Sequence, residues 1–551
     1  MRHGGQILID QLRAEGCDMA FCVPGESYLA ALDGLYGQND IRTIVCRQEG
    51  GAAMMAEAYG KVTGKIGTAF VTRGPGATNA AIGVHIAQQD STPMILFVGQ
   101  VGRDMQDREA FQEVDFKAMF SPLAKWAAEI RQTERIPEYV ARAVHTARSG
   151  RPGPVVLALP EDMLSAASDA ALVSPAPYAQ CHPSDADMTA IEVALANAKS
   201  PLMVVGGPGW SVEVREQVTA FAERLDLPVM AAFRYQDYMD NRHKNYVGHM
   251  GIGIDVPLAE RIRKCDLLLV MGPRLGEMTT GGYTLVKSPE PDQKIIHVHP
   301  GAEELGRVFR TEIPVHATLA AFAARLEDIS APAKSNWAAD RKQARAEYEA
   351  FCEPRETPGA VKLEQVVDHV SRTVPEDAII TNGAGNYAGF VHRYTCYRGY
   401  RSQVANTAGA MGYSIPAAVA AKIAAPERTV VSFNGDGCFM MNGQELSTAV
   451  RYDLPIIIIV ANNGTYGTIR MHQERDYPSR VSGTDLVNPD FAAYARSFGA
   501  NGELVEKTED FPDIFASALK SNKPTLIELR TDPEAITPTA TLSGIRANAS
   551  K

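Results

Sequence analysis

Residues 430–463 read VVSFNGDGCFMMNGQELSTAVRYDLPIIIIVANN. The two apolar runs, Thr429–Phe433 and Pro455–Val460, predict buried strands, and the segment between them predicts a helix. Strand, helix and strand in this order form a βαβ unit, in which both strands end at the same edge of a parallel sheet. Polar loops follow both strands. Asp436 and Asn463 should therefore lie close together at the edge where open α/β sheets bind ligands.

The two loops combine oxygen donors with glycines. Asp436 offers a carboxylate, Asn463 an amide oxygen and Thr465 a backbone carbonyl, which together suit Mg²⁺. Gly435 and Gly437 would let the backbone approach a diphosphate, whose charge a helix N-terminus favours. Either loop alone is more simply a turn, but the pair at this spacing favours a site for a metal and a diphosphate.

The rest of the chain repeats this architecture. At 551 residues, the length predicts about three or four domains. A Pro-rich stretch near 170–188 and a charged segment within 331–357, expected to be a solvated helix, separate three blocks. The predicted domains are 1–172, 186–330 and 356–551.

Each block alternates β-branched runs with helical stretches, which predicts an α/β protein with three doubly wound parallel-sheet domains. In the first block, helices are expected at Gly50–Val62 and Thr78–Gln89. The clearest predicted strands are Thr43–Cys46, Thr68–Thr72, Met94–Val98, Pro201–Val205, Asp266–Met271, Lys294–Val298, Ala378–Thr381, Thr429–Phe433 and Pro455–Val460.

Composition excludes several classes of protein. The net charge of −11 argues against a nucleic-acid or anionic-membrane surface. The longest apolar run, Leu454–Ala461, is far shorter than the about 20 residues of a membrane helix. The N-terminus shows no signal-peptide pattern, which indicates a cytoplasmic protein. The 8 cysteines form no C-x-x-C motif, so neither a zinc site nor a disulfide framework is expected.

The Gly-Asp-Gly and Asn-Asn loops resemble the cofactor-binding signature of thiamine diphosphate enzymes. The resemblance implies a pyrimidine-binding, a central Rossmann-like and a diphosphate-binding domain. It also implies that Asp436, Asn463 and the Thr465 carbonyl hold Mg²⁺ on the cofactor. Cys438 and Asn382 join Gly435 and Gly437 as cofactor-binding candidates.

Two further segments carry the same resemblance. Glu49 follows the first predicted strand at a strand-to-helix junction and looks like the family's catalytic glutamate, which promotes ionisation of the cofactor. The alternative is a first-turn glutamate that complements the helix dipole. In residues 406–416, Met411 resembles the apolar wedge beneath the cofactor, and the Gly409 backbone resembles the partner of its amino group. Met411 as core filler is the alternative.

Within the family, the chain is most similar to acetohydroxyacid (acetolactate) synthases. Phe111 and Gln112 are similar to their active-site pair, and Lys125 to a basic residue that attracts a carboxylate. A solvated surface lysine is the alternative for Lys125. Glu26, where those synthases have glycine, and His472, where they usually have tryptophan, are departures expected to influence the substrate.

The resemblance implies decarboxylation and carboligation of a 2-oxo acid, such as pyruvate to 2-acetolactate and CO₂. The alternatives are another thiamine-dependent 2-oxo acid decarboxylase or acyl-CoA lyase, and a catalytically idle nucleotide-binding homologue. FAD or ADP could occupy the central domain near Gly206–Gly209 and Arg274. The family also implies a homodimer or homotetramer with active sites at the subunit interface.

Overall fold

A computed structural model describes residues 1–332 and 337–549. It contains three six-stranded sheets, and every strand pair within them is parallel. The predicted α/β class with three doubly wound sheets is therefore confirmed. Within the described residues, no helix is both long and apolar enough to cross a membrane.

Each sheet is built from one part of the chain, with helices between its strands. The N-terminal part comprises β1 (Arg2–His3), α1 (Gly4–Ala14), β2 (Met19–Cys22), α2 (Leu29–Leu35), β3 (Arg42–Val45), α3 (Glu49–Thr63), β4 (Gly67–Val71), α4 (Gly74–Asp90), β5 (Met94–Gln100), α5 (Phe116–Phe120), β6 (Trp126–Glu129), α6 (Ile136–Arg148), β7 (Pro154–Pro160), α7 (Glu161–Ser165) and β8 (Ala167–Ser168). The central part comprises α8 (Asp185–Asn197), β9 (Pro201–Val205), α9 (Val212–Leu225), β10 (Val229–Ala231), β11 (Tyr246–His249), α10 (Val256–Lys264), β12 (Leu267–Met271), β13 (Lys294–His299), β14 (Ile313–His316), α11 (Leu319–Ala323) and α12 (Trp337–Cys352). The C-terminal part comprises α13 (Leu363–Thr373), β15 (Ile379–Asn382), α14 (Tyr387–Tyr394), β16 (Gln403–Ala405), α15 (Ser414–Ala424), β17 (Val430–Gly435), α16 (Asp436–Phe439), α17 (Leu446–Arg451), β18 (Ile457–Asn462), α18 (Gly467–Asp476), α19 (Phe491–Ser497), β19 (Asn501–Val505), α20 (Phe511–Lys520), β20 (Thr525–Arg530) and α21 (Leu542–Ala549).

Strand order decides which loops become neighbours. The C-terminal sheet runs β16-β15-β17-β18-β20-β19, so β17 lies between β15 and β18. Gly435 at the end of β17 is in register with Ala461 near the end of β18. The N-terminal sheet runs β3-β2-β4-β5-β7-β6, and its carboxyl edge carries the loops after β3, β4 and β5. These two edges hold most of the predicted site residues.

The observed strands begin and end within two residues of the predicted ones. The helix expected in the second linker is present, but it also packs on the central domain. The charged helix predicted within 331–357 is α12, and it is not simply solvated, because Trp337 and Tyr348 are buried in the central core. Arg261 of α10 donates to the Glu347 carboxylate at 2.8 Å. Residues 333–336 of that segment lie outside the described residues.

A buried charge cluster joins the N-terminal and C-terminal domains. It consists of Glu57 and Lys61 of α3 and Asp90 at the end of α4, with Lys61 in contact with both carboxylates. Tyr413 donates from its hydroxyl to Glu57 at 2.5 Å, and the Thr407 backbone N–H donates to Asp90 at 2.8 Å. Both carboxylates are screened from solvent. The cluster therefore fixes the loop that follows β16.

Candidate active site

A cavity of about 260 Å³ opens at the carboxyl edge of the C-terminal sheet. Its lining residues all lie between 361 and 536. The structure brings eight of the predicted cofactor and metal residues to this cavity: Gly409, Met411, Gly435, Asp436, Gly437, Cys438, Asn463 and Thr465.

Asp436 is the charged centre of the cavity. Its Oδ1 accepts the Gly437 N–H at 2.8 Å, and its Oδ2 accepts the Gly464 N–H at 2.8 Å. Oδ2 also accepts from the Asn488 side-chain amide at 2.8 Å. Burial raises the pKa of Asp436, and these hydrogen bonds oppose the rise. The carboxylate is thus held in place by neutral donors.

Asn463 and Thr465 complete the oxygen set. Asn463 Oδ1 accepts the Thr465 N–H at 3.2 Å, and Thr465 Oγ1 donates to the Thr484 carbonyl at 2.8 Å. Both residues line the same cavity as Asp436. A carboxylate, an amide oxygen and a backbone carbonyl are hard donors that suit Mg²⁺. The residues present therefore fit the predicted metal.

Backbone features of the cavity suit an anion. The N-termini of α14 and α18 contribute Asn386 and Gly467 to its wall, and such termini favour negative charge. Gly409 has φ of 68°, and a Cβ there would meet no atom within 4 Å. At Gly437 the backbone packs closely on the Tyr466 ring, since a Cβ there would lie 2.5 Å from it. A phosphate group could therefore approach the two helix N-termini and the open backbone at Gly409.

Met411 and Cys438 line this cavity, whereas the predicted residues Asn382 and His472 are not among its lining residues. Met411 lines it and also packs on the C-terminal core, so the wedge and core-filler interpretations are both compatible with its position. Cys438 Sγ accepts the Gly412 N–H at 3.3 Å. Asn382, at the end of β15, is buried with its Oδ1 unpaired. His472 lies one turn beyond Ile469 in α18 and is half-buried with Nδ1 unpaired.

Glu49 is the first residue of α3 and lies at the carboxyl edge of the N-terminal sheet. Its Oε2 accepts a hydrogen bond from the Asn79 side-chain amide of α4 at 2.9 Å. A Cβ at Gly76 would lie 3.4 Å from Glu49 Oε1. The carboxyl group is therefore oriented by the first turns of α4. Sequence reasoning missed Asn79, although it lies within the predicted helix Thr78–Gln89.

The loop between β4 and α4 contacts three further predicted site residues. Arg73, almost fully buried, donates to Glu26 Oε1 at 2.9 Å, and its guanidinium carbon lies 5.9 Å from the Phe111 ring centre. The Gln112 carbonyl accepts the Gly74 N–H at 3.1 Å. Glu26, Phe111 and Gln112 therefore all contact the loop between β4 and α4, and α4 in turn contacts Glu49 through Asn79.

Lys125 does not join this group. It precedes β6, at the amino edge of the sheet, and its backbone N–H donates to the Pro154 carbonyl at 2.9 Å. Its ammonium donates to the Thr146 and Ser149 carbonyls, each at 2.6 Å, at the end of α6. Burial lowers its pKa to about 8. The structure thus corrects both interpretations, because Lys125 is neither solvated nor beside Glu49.

The central domain gives less support for a nucleotide. A Cβ on Gly207 would lie 2.0 Å from the Gly272 carbonyl oxygen, so these two glycines permit backbone packing. Arg274 Nε pairs with Glu304 Oε2 at 3.3 Å. Packing and ion pairing thus involve these residues, but Gly207 and Gly209 also line a cavity of about 280 Å³, and Arg274 lines one of about 160 Å³.

The C-terminal segment closes one side of the cavity. Ile536 lines the cavity and is buried, and α21 packs against α18. Arg546 of α21 donates from two nitrogens to Glu474 of α18, at 2.6 and 2.7 Å. This pairing lowers the pKa of Glu474 to about 2. The Arg546–Glu474 pair therefore holds α18, which forms part of the cavity wall, against α21.

Comparison with known proteins agrees with this geometry. Three family models match: the N-terminal TPP binding domain over residues 2–119, the central domain over 188–326 and the C-terminal TPP binding domain over 383–529 of thiamine pyrophosphate enzymes. The acetolactate synthase large subunit of Corynebacterium glutamicum is 31% identical over 548 residues, covering 95% of this chain and 86% of its own length.

Two further relatives have the same printed name. The acetolactate synthase large subunit of Parasynechococcus marenigrum is 32% identical over 543 residues, covering 96% of this chain and 87% of its own. That of Haemophilus influenzae is 30% identical over 547 residues, with 96% and 94% covered. The chain therefore belongs to the thiamine pyrophosphate enzyme family and is an acetolactate synthase-like, thiamine diphosphate-dependent enzyme.

Proposed function

We propose that the protein decarboxylates a 2-oxo acid with thiamine diphosphate and Mg²⁺, and joins the remaining acyl unit to a second carbonyl. The expected reaction is pyruvate to 2-acetolactate and CO₂. One observation carries this proposal: a single cavity unites an oxygen-donor set, two helix N-termini, an open glycine backbone and an apolar wall. The relatives named acetolactate synthase support the choice of substrate.

The C-terminal domain would hold the metal and the cofactor. Asp436, Asn463 and the Thr465 carbonyl would bind Mg²⁺, and the backbone near Gly437 and the start of α18 would receive the diphosphate. When bound, thiamine diphosphate supplies a nucleophilic carbon and an electron sink for the loss of CO₂. Met411 and the apolar wall would fix the orientation of the rings and exclude water.

The N-terminal domain would supply the acid–base group. Glu49 would hold on its carboxyl the proton that it exchanges with the ring nitrogen N1′ of the cofactor. Asn79, which donates to Glu49 Oε2, would keep this carboxyl in one orientation. Phe111, Gln112 and Glu26 would contact the substrates from the adjacent loops, and His472 would do so from α18.

We further propose that two subunits build each site. The cavity is lined from residues 361–536, whereas Glu49 belongs to the N-terminal sheet of the described chain. A symmetric homodimer, alone or within a tetramer, would bring Glu49 of one subunit to the cavity of the other.

Mixed dimers test this arrangement. Co-expressed Glu49→Gln and Asp436→Ala chains, purified by two different tags, should recover about half of the wild-type turnover, since one of two sites is then intact. Each variant expressed alone is the control and should be nearly inactive. Mixed dimers as inactive as the controls would show that Glu49 and Asp436 serve the same site from one chain.

The role of Asn79 gives a separate prediction. Asn79→Ala should lower kcat by about tenfold, because a hydrogen bond to a charged group is worth about 1.5–3 kcal/mol. The affinity for thiamine diphosphate, measured by calorimetry, should not change. His85→Ala, an exposed change further along α4, is the matched control. An unchanged kcat for Asn79→Ala would show that Glu49 needs no partner for its orientation.

The proposal also includes FAD or ADP as a ligand of the central domain. We assign this nucleotide no part in catalysis. A visible spectrum of the purified protein with flavin absorption would establish FAD. A colourless protein that releases adenine nucleotide on denaturation would establish ADP. We also propose a cytoplasmic location, supported by eight free cysteines among the described residues.

Incubation with pyruvate, thiamine diphosphate and Mg²⁺ tests the reaction itself. Formation of 2-acetolactate together with CO₂ is the expected result. Carbon dioxide with acetaldehyde alone would instead indicate a decarboxylase, and turnover of only an acyl-CoA substrate would indicate a lyase. Binding of thiamine diphosphate without turnover of any of these substrates would favour the idle homologue.

A further inference from the structure

Glu445 of the C-terminal domain contacts the segment that leads into Glu49. It lies between the end of α16 and the start of α17 and has no solvent exposure. Its Oε1 accepts the backbone N–H of Arg47 and that of Gln48, each at 3.0 Å. A side chain from one domain thus binds the two residues that precede the catalytic glutamate of another.

These bonds fill a gap in the hydrogen bonding of the N-terminal sheet. The Cys46 N–H still bonds to the neighbouring strand, at the Cys22 carbonyl, 2.8 Å away. Helix α3 begins at Glu49, so the N–H groups of Arg47 and Gln48 have neither a strand nor a helix partner. Glu445 accepts both of them. The path of the backbone into Glu49 is therefore set from outside its own domain.

The carboxylate of Glu445 has little freedom of its own. Its Oε2 accepts from the Thr448 hydroxyl at 2.5 Å. A Cβ at Gly51 would lie only 2.8 Å from Oε1, so α3 approaches it closely. A second hydrogen bond connects the same two segments, because the Arg47 guanidinium donates from Nε to Ser447 Oγ at 2.9 Å. The contact therefore behaves as a fixed anchor and not as a surface ion pair.

We propose that Glu445 is a positioning residue for the catalytic Glu49. It holds residues 47 and 48 so that Glu49 starts α3 at the position from which its carboxyl reaches the cofactor. The inference rests on the proposed function, in which Glu49 exchanges a proton with thiamine diphosphate. It adds a residue that neither touches the cofactor nor belongs to the same domain as Glu49.

Three variants test this role: Glu445→Ala, Glu445→Gln and Gly51→Ala. Deuterium exchange at C2 of the bound cofactor, quenched with acid and read by proton NMR, reports on Glu49 without a substrate. We expect Glu445→Ala to slow this exchange and kcat by about 10- to 100-fold, since a misplacement of about 1 Å can cost this much. KM and the calorimetric affinity for thiamine diphosphate with Mg²⁺ should stay unchanged.

Glu445→Gln retains an oxygen that accepts both N–H groups, so exchange should return to near the wild-type rate. Gly51→Ala crowds the carboxylate and should slow exchange even if Glu445→Ala does not fold. The matched control is Glu364→Ala, because buried Glu364 likewise accepts a backbone N–H and a hydroxyl, both from Thr357. Its exchange rate should remain that of the wild type, whatever happens to its thermal stability.

Wild-type exchange rates in Glu445→Ala or Gly51→Ala would overturn the inference. So would a Glu445→Gln protein as slow as Glu445→Ala, or a loss of cofactor affinity that parallels the loss of rate. Failure of the proposed function is a different result, because the wild-type protein itself would then not bind thiamine diphosphate.

Discussion

We expect Glu49→Gln to lower turnover of pyruvate by about 1,000-fold, within the range of about 10²–10⁴ for general acid–base catalysis. Glutamine keeps the size of the side chain but has no carboxyl proton to exchange. C2 deuterium exchange of the bound cofactor should fall by a similar factor. The affinity for thiamine diphosphate should change little, because the proposed metal and diphosphate contacts lie in the other domain.

Glu213→Gln is the matched control for this experiment. Glu213 is an exposed acidic residue in the first turn of α9, so like Glu49 it lies near a helix N-terminus, but without the surroundings of Glu49. Its replacement should leave exchange and turnover unchanged. If Glu49→Gln behaves like Glu213→Gln, then Glu49 serves only to complement the helix dipole.

The second large effect is expected for Asp436→Ala. We expect thiamine diphosphate to bind about 100-fold more weakly or worse in the presence of Mg²⁺, since even residues behind a metal ligand commonly contribute about 10–100-fold. Turnover at ordinary cofactor concentrations should then be lost. Calorimetric titration with and without Mg²⁺ measures both effects, because the wild-type protein should lose affinity when the metal is removed by a chelator.

Asp513→Ala, an exposed change on α20 of the same domain, is the matched control and should bind the cofactor normally. Undiminished affinity in Asp436→Ala would remove the metal site from the proposal. Partial loss in Asn488→Ala would support it further, because Asn488 donates to Asp436 Oδ2.

The sequence was sufficient to predict the strands and the strand-to-helix junctions, because these depend on local periodicity. The β-branched runs predicted β17 and β18, and the rule that parallel strands end at one edge brought Asp436 and Asn463 together. The same reasoning located Glu49 at a strand-to-helix junction, where the structure has the start of α3. Motif resemblance added Gly409 and Met411, which line the cavity.

Contacts between distant parts of the chain were beyond this reasoning. Asn488, Asn79 and Glu445 are ordinary polar residues whose partners depend on how loops and domains pack. The surroundings of Lys125 were predicted wrongly because its partners are backbone carbonyls at the end of α6. Every residue has a backbone carbonyl, so the sequence does not indicate which of them a lysine contacts. The many charges of helix α12 suggested a solvated helix. In the structure Glu347 of this helix pairs with Arg261 of the central domain, which the sequence does not indicate.

The buried charge cluster has a consequence for how the enzyme reaches its competent form. Glu57, Lys61 and Asp90 belong to the first-synthesised part of the chain, yet they secure the loop that carries Gly409 and Met411. The hydrogen bonds that hold this loop form only when the N-terminal and C-terminal domains pack together. A C-terminal fragment would therefore keep Asp436 and Asn463 but would lack the contacts that hold the loop carrying Gly409 and Met411.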